Sequence, residues 1–176
     1  MSPFHFIFNN LFRQKNQKED PQRIVKARKI IGFIGAIDHK LDYTLLEHLV
    51  SNFPMLDFHF IGPINDFKQA MMMDKYSNVQ FFGNQSTPEI KNLSADFDLA
   101  ILPYTNHEQL TIHQIKANLI MLSPEISIIS SYALKDHFGA SLNVVSSPDE
   151  FVNAIAEATG ITSISLSENL ILQQFA

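Results

Sequence analysis

The chain has 176 residues, 45% of them hydrophobic, and a formal net charge of −5, which fits one globular domain with a full core. It has no cysteine, which excludes disulfide frameworks, thiol nucleophiles and cysteine-ligated metals. No stretch approaches the ~18 apolar residues of a membrane-spanning helix, the start does not read as a signal peptide, and a cytoplasmic protein is expected.

The charge is unevenly spread. Residues 1–29 hold seven Lys or Arg against two acids, which leaves −10 for the other 147 residues. This basic arm includes an aromatic stretch, 3–12 (PFHFIFNNLF). One reading is a linker whose Phe4, Phe6 and Phe8 pack onto the body or a partner chain. The alternative is peripheral contact of 3–29 with an anionic membrane surface at the inner face of the membrane, since aromatics beside cations favour that interface. Nucleic acid is not an expected partner, because the acidic body repels phosphate.

After the arm, 30–35 (IIGFIG) reads as a buried strand ending in glycine. In 42–53 the spacing of Leu45, Leu46, Leu49, Val50 and Phe53 predicts one apolar helical face, with Asp42 as cap and Pro54 closing it. Residues 57–62 (DFHFIG) are the second strand, 66–76 a methionine-rich short helix, and 78–83 (NVQFFG) the third strand. Methionines in such a run are more often a pliable packing face than ligands. Ser86-Thr87-Pro88-Glu89 opens a helix that ends near Ser94.

The stretch 97–102 is apolar but for Asp98, and Pro103 ends it, as expected of a strand buried on both faces of a parallel sheet. The loop beyond it, 104–111, is polar, with His107, Asn106 and Glu108. Such loops at the carboxyl ends of strands are where open α/β sheets hold ligands. A helix over 111–122, strands at 126–130 and 142–145, and a helix from the capping box Ser147-Pro148-Asp149-Glu150 to Gly160 complete the pattern. The expected division is an arm or linker at 1–29, a Rossmann-like domain at 30–160, and a tail or short helix at 161–176.

Alternation of six strands with helices predicts an α/β fold, a doubly wound parallel sheet in the order 3-2-1-4-5-6. That order sets the first strand beside the fourth, so the loops after Gly35 and after Leu102 face one crevice. There is no G-x-G-x-x-G fingerprint, since GFIGAID has Gly32 inside the strand and only Gly35 at the turn, and no P-loop or nucleophile elbow. His107 and His113 are six apart rather than four, so no metal site is expected. His48, His59 and His137 fall in contexts that favour structural roles.

The order of several short motifs resembles the carboxyl-terminal half of GT-B glycosyltransferases of the GT4 type. The first strand ends in Gly35-Ala36-Ile37-Asp38 and the second in Ile61-Gly62-Pro63. The third gives Phe82 to Gly83 with Pro88-Glu89 following, and the fourth gives Leu102-Pro103-Tyr104, then Asn106 and Lys116. The resemblance covers about residues 30–158. It implies a sugar-nucleotide donor, as substrate rather than cofactor, in the crevice, with Gly35, Ala36, Pro103, Tyr104, Asn106 and Lys116 facing it. A lysine near a helix start suits a diphosphate, which the helix dipole also favours.

The chain departs from the family pattern after that lysine. Gln114 stands at its proline, Leu119 at the glutamate that would accept hydrogen bonds from the donor ribose, and Pro124 at its glycine. The resemblance also implies a second, acceptor-binding half or partner chain, which would supply any general base; catalytic residues are therefore not assigned. Two functions are carried forward. One is the donor domain of a glycosyltransferase acting in glycan or polysaccharide synthesis; the alternative is a degenerate, non-catalytic domain kept for binding or assembly.

Overall fold

The structure is a computed structural model that describes residues 28–105, 112–131 and 142–161. Six parallel strands form one sheet: β1 (Ile30–Ile34), β2 (Asp57–Ile61), β3 (Val79–Gly83), β4 (Leu99–Leu102), β5 (Ile128–Ser130) and β6 (Leu142–Val144). Their order is β3-β2-β1-β4-β5-β6, the doubly wound arrangement expected from the sequence. Among the described residues five helices alternate with them: α1 (Tyr43–Asn52), α2 (Phe67–Met73), α3 (Thr87–Ser94), α4 (Ile112–Leu119) and α5 (Pro148–Thr159). The arm, the loop bearing Asn106 and the tail lie outside the described residues.

Strand register assigns the faces. Ile31 pairs with Phe58, and Phe33 with Phe60 and then Phe81, so one face is built from large apolar side chains. Phe60 stacks on Phe81 with centroids 5.1 Å apart. All four phenylalanines are buried, and their rings lie at the centre of the core. The other face carries Gly32 beside His59. A side chain at Gly32 would collide with the Phe97 ring, which lies over that glycine and takes the space.

Local chemistry sets the helix ends. Asp42 caps α1 by accepting the Leu45 N–H at 2.9 Å, and Asp66 caps α2 by accepting the Gln69 N–H at 3.1 Å. At α3 the Ser86 N–H donates to the Glu89 carboxylate at 2.8 Å, half of a reciprocal capping box. Ser147 caps α5, and Gly160 ends it in the left-handed conformation at φ 71°. The buried Asn78 amide donates to the carbonyls of Val50, Phe53 and Leu56 at 3.0–3.2 Å, satisfying the end of α1 and the turn into β2.

Two elements are shorter than the sequence pattern. β4 begins at Leu99, not 97, because Phe97 is spent covering Gly32 and Asp98 joins the sheet through both ends. The Asp98 N–H donates to the Ile30 carbonyl at 2.9 Å, and its carboxylate accepts the Ile30 N–H at 2.8 Å. α4 ends at Leu119 rather than 122: the Met121 and Leu122 N–H groups turn back three residues, to Asn118 and Leu119, in tight turns. Among the described residues no helix is long and apolar enough to cross a membrane.

Candidate functional site

Reversal of strand order between β1 and β4 opens a crevice at their carboxyl ends, and the described residues enclose a cleft of about 540 Å³ there. Its floor is the end of β1 and β2: Ile34, Gly35, Ile61 and Gly62. Asn65 and Asn84 come from the loops after β2 and β3, and Tyr104 from the loop after β4. Gln114, Ile115, Ala117 and Asn118 of α4 form the facing wall, with Ile90 of α3.

The floor depends on two glycines for different reasons. Gly62 has φ 146°, and a side chain there would run into the Gly35 carbonyl, so only hydrogen fits between the two strand ends. Gly35 is required for space. A Cβ would stand 2.7 Å from the Phe33 ring and 3.2 Å from the Asn118 amide nitrogen. The Gly35 N–H is already engaged, donating to the Ile61 carbonyl at 2.9 Å. Among the described residues, the N–H groups of Ala36 and Asp38 are the ones in this turn left without a protein acceptor.

The β1 and β4 loops are tied together. The Asp42 N–H donates to the Pro103 carbonyl at 2.8 Å, and Leu41 bridges Tyr104 in antiparallel fashion. Thr105 donates twice to the Lys40 carbonyl, through its N–H at 2.9 Å and its hydroxyl at 3.0 Å. The Ser131 hydroxyl, just past β5, holds the Tyr104 carbonyl at 2.7 Å. Tyr104 itself is buried, its ring edge-on to Phe33 at 5.9 Å. Burial, and secondarily the Asp38 carboxylate, push its hydroxyl well above the ordinary phenol range, so it is a neutral donor at any working pH.

Only two charged side chains line the cleft among the described residues, Asp38 and Lys40. They stand 4.0 Å apart, and their side chains are 15% and 21% exposed, so both are largely withdrawn from water. The Asp38 carboxylate accepts the Lys40 N–H at 3.0 Å, and the Tyr43 hydroxyl donates to the Asp38 carbonyl at 3.0 Å. The turn is thereby fixed from both sides. No group of three or more metal-capable side chains occurs among the described residues.

The residues singled out from sequence fare differently. Gly35, Ala36 and Tyr104 meet at this cleft. Pro103 lies behind it, its carbonyl engaged by Asp42, and Asn106 is outside the described residues. Lys116 is in α4 but does not line the cleft. At 3.6 residues per turn Gln114, Ala117 and Asn118 share one side of the helix and Lys116 projects from the opposite one. Leu119 is packed against the core. Lys40 is the residue that sequence reasoning missed, although the quoted turn ends two positions before it.

No family model matches the sequence, and no curated protein does. Solved structures do match. Similar to this chain are the glycosyltransferase GlyE of Streptococcus pneumoniae (TM-score 0.55, 13% identity, 90% of this chain and 38% of that one) and HepE of Anabaena in complex with UDP and glucose (TM-score 0.54, 18% identity, 94% and 45%). An Escherichia coli trehalose-6-phosphate protein bound with UDP-2-fluoro glucose matches at TM-score 0.55 and 14% identity, over 96% of this chain and 44% of that one. At such identities the likeness is one of fold, and the fold is the GT-B-like half that the motif order implied. The chain spans less than half the length of each.

Proposed function

We propose that this chain is the donor-binding domain of a glycosyltransferase, holding a nucleotide-sugar in the cleft between the β1 and β4 loops. The observation that carries the reading is the cleft itself. It sits at the switch point, its apolar and amide-bearing walls suit a nucleoside, and among the described residues Lys40 is its single lining cation, on the same turn as the Ala36 and Asp38 N–H groups that have no protein acceptor there. Two of the similar solved structures carry UDP or a UDP-sugar, which supports a uridine nucleotide as the first ligand to try.

In this reading the acceptor displaces the nucleoside diphosphate at the anomeric carbon. The C–O bond to the diphosphate breaks, a C–O bond to the acceptor hydroxyl forms, and the acceptor's proton goes to a base outside the described residues. Lys40 and the turn N–H groups meet charge on the leaving diphosphate. We assign that phosphate contact to Lys40 in place of Lys116, and keep Gly35, Ala36, Tyr104 and, in the loop following Pro103, Asn106 at the donor. The acceptor is a glycan or polysaccharide precursor bound by a companion half. The arm is kept as a linker or partner contact, with peripheral contact of 3–29 at the inner membrane face as the alternative.

Calorimetric titration with UDP tests the assignment. Replacing Lys40 with Ala should weaken binding about tenfold or more, as loss of a charged hydrogen-bond partner does, while Lys116→Ala should stay within about twofold. The reverse ranking, or no UDP binding at millimolar ligand, would sink the donor reading. Leu119 favours a second reading, a binding domain without transfer, because a side chain packed on the core offers no acceptor to ribose hydroxyls. That reading expects nucleotide binding with no sugar transfer when the companion half is supplied.

A further inference from the structure

We propose that Asp38 is a specificity-determining residue that competes with the ligand for Lys40, so that the cleft disfavours a freed nucleoside diphosphate more than the intact nucleotide-sugar. The inference rests on the donor reading above and extends it to the balance between substrate and product.

The geometry is that of a built-in counter-anion. Asp38 and Lys40 are the cleft's only charged lining residues among those described, and their formal charges cancel. Both side chains are mostly covered, so at 4.0 Å the pair is screened less than it would be on the open surface. Asp38 cannot easily swing away. Its carboxylate is held by the Lys40 N–H at 3.0 Å, and its carbonyl by the Tyr43 hydroxyl at 3.0 Å. Asp66, across the loop after β2, adds a second negative charge close enough to act on Tyr43. Among the described residues no other cation lines the cleft to offset either carboxylate.

A phosphate that reaches the Lys40 ammonium therefore also approaches the Asp38 carboxylate. Attraction and repulsion act over similar distances and largely offset each other. The balance worsens as the ligand gains charge. A nucleotide-sugar has a diphosphate esterified at both ends, whereas the nucleoside diphosphate left after transfer exposes a terminal phosphate with one more ionisable oxygen. Asp38 penalises the second more than the first. Affinity for the donor then comes from its neutral, hydroxyl-bearing parts on Asn65, Asn84, Gln114 and Asn118, and the product is released.

Asp38→Asn separates charge from structure, because its amide oxygen still accepts the Lys40 N–H. Titrated with UDP and with UDP-glucose, this variant should bind UDP about five- to tenfold tighter than wild type, the scale of one partly buried charge. UDP-glucose should gain about twofold or less, and UDP binding should become more sensitive to added salt. In Asp38→Asn combined with Lys40→Met the gain should disappear. Should the Asn variant fail to fold, Asp38→Ser keeps an acceptor for the turn and is read the same way. UDP binding to wild type with no gain, or with a loss, in the variant overturns the proposal and leaves the donor reading standing. Equal gains for UDP and UDP-glucose overturn the product discrimination. If neither protein binds UDP at millimolar concentration, both readings fall.

Discussion

His59 shows how one side chain carries a pH dependence without lining the cleft. It sits on β2, edge-on to Phe82 at 5.0 Å and to Phe97 at 6.4 Å. Burial drives its titration below the usual histidine range, and the carboxylates of Asp57 and Asp96 offset this only in part. The folded state thus holds the neutral ring, while the unfolded chain takes up a proton at the ordinary value near 6.5. Stability is complete above that value and falls as pH drops from there through the lower folded value. Thermal melts from pH 7.5 to pH 5 should show this decline, and His59→Phe should flatten it; an unchanged slope would remove His59 as its source. The same scale shows what sequence reasoning could not reach. Lys116 was chosen by its place in a motif, and whether it lines the cleft depends on the phase of α4, which motif spacing does not give. Lys40 lies in a loop, where no periodicity marks what faces inward.

At the scale of elements the sequence was most legible where the local chemistry was strong. Asp42, Asp66, Ser86 and Ser147 were each readable as starts, and each caps its helix. β4 was readable as a doubly buried strand from its apolar run. What escaped were the ends decided by tertiary contacts, such as the two residues lost from β4 when Phe97 moved onto Gly32. The cap of α5 offers a direct test. Ser147 accepts the Glu150 N–H at 3.2 Å, and the Glu150 carboxylate accepts the Ser146 N–H at 2.7 Å. Since α5 buries Phe151 and Ile155, fraying of its first turn reaches the core. Ser147→Ala should cost about 1 kcal/mol in chemical denaturation, and a loss below about 0.3 kcal/mol would show the cap to be dispensable.

At the scale of the whole molecule the strand order was legible because alternation of strands and helices pointed to the doubly wound template, whose common order this chain adopts. The paired position of β1 and β4 then located the crevice before any contact was known. Ligand chemistry was less legible, because a cleft's charge is a sum over loops brought together only by folding. If the cleft is a nucleotide site, occupancy must stabilise the fold by mass action. At a hundredfold excess of UDP over its Kd the gain should be about 2.7 kcal/mol, visible as a rise of several degrees in Tm. Lys40→Ala at the same UDP concentration should lose part of that rise. A Tm that ignores UDP in both proteins would argue for a ligand of another class.

The ties between Lys40 and Thr105, Asp42 and Pro103, and Ser131 and Tyr104 have a mechanical consequence. They splint the exits of β1, β4 and β5 into one piece, so these walls of the cleft cannot part from each other without breaking several hydrogen bonds at once. A ligand entering the cleft therefore meets these three exits as one preset surface, and any yielding of the walls falls to the loops after β2 and β3 and to α4, which these ties do not reach.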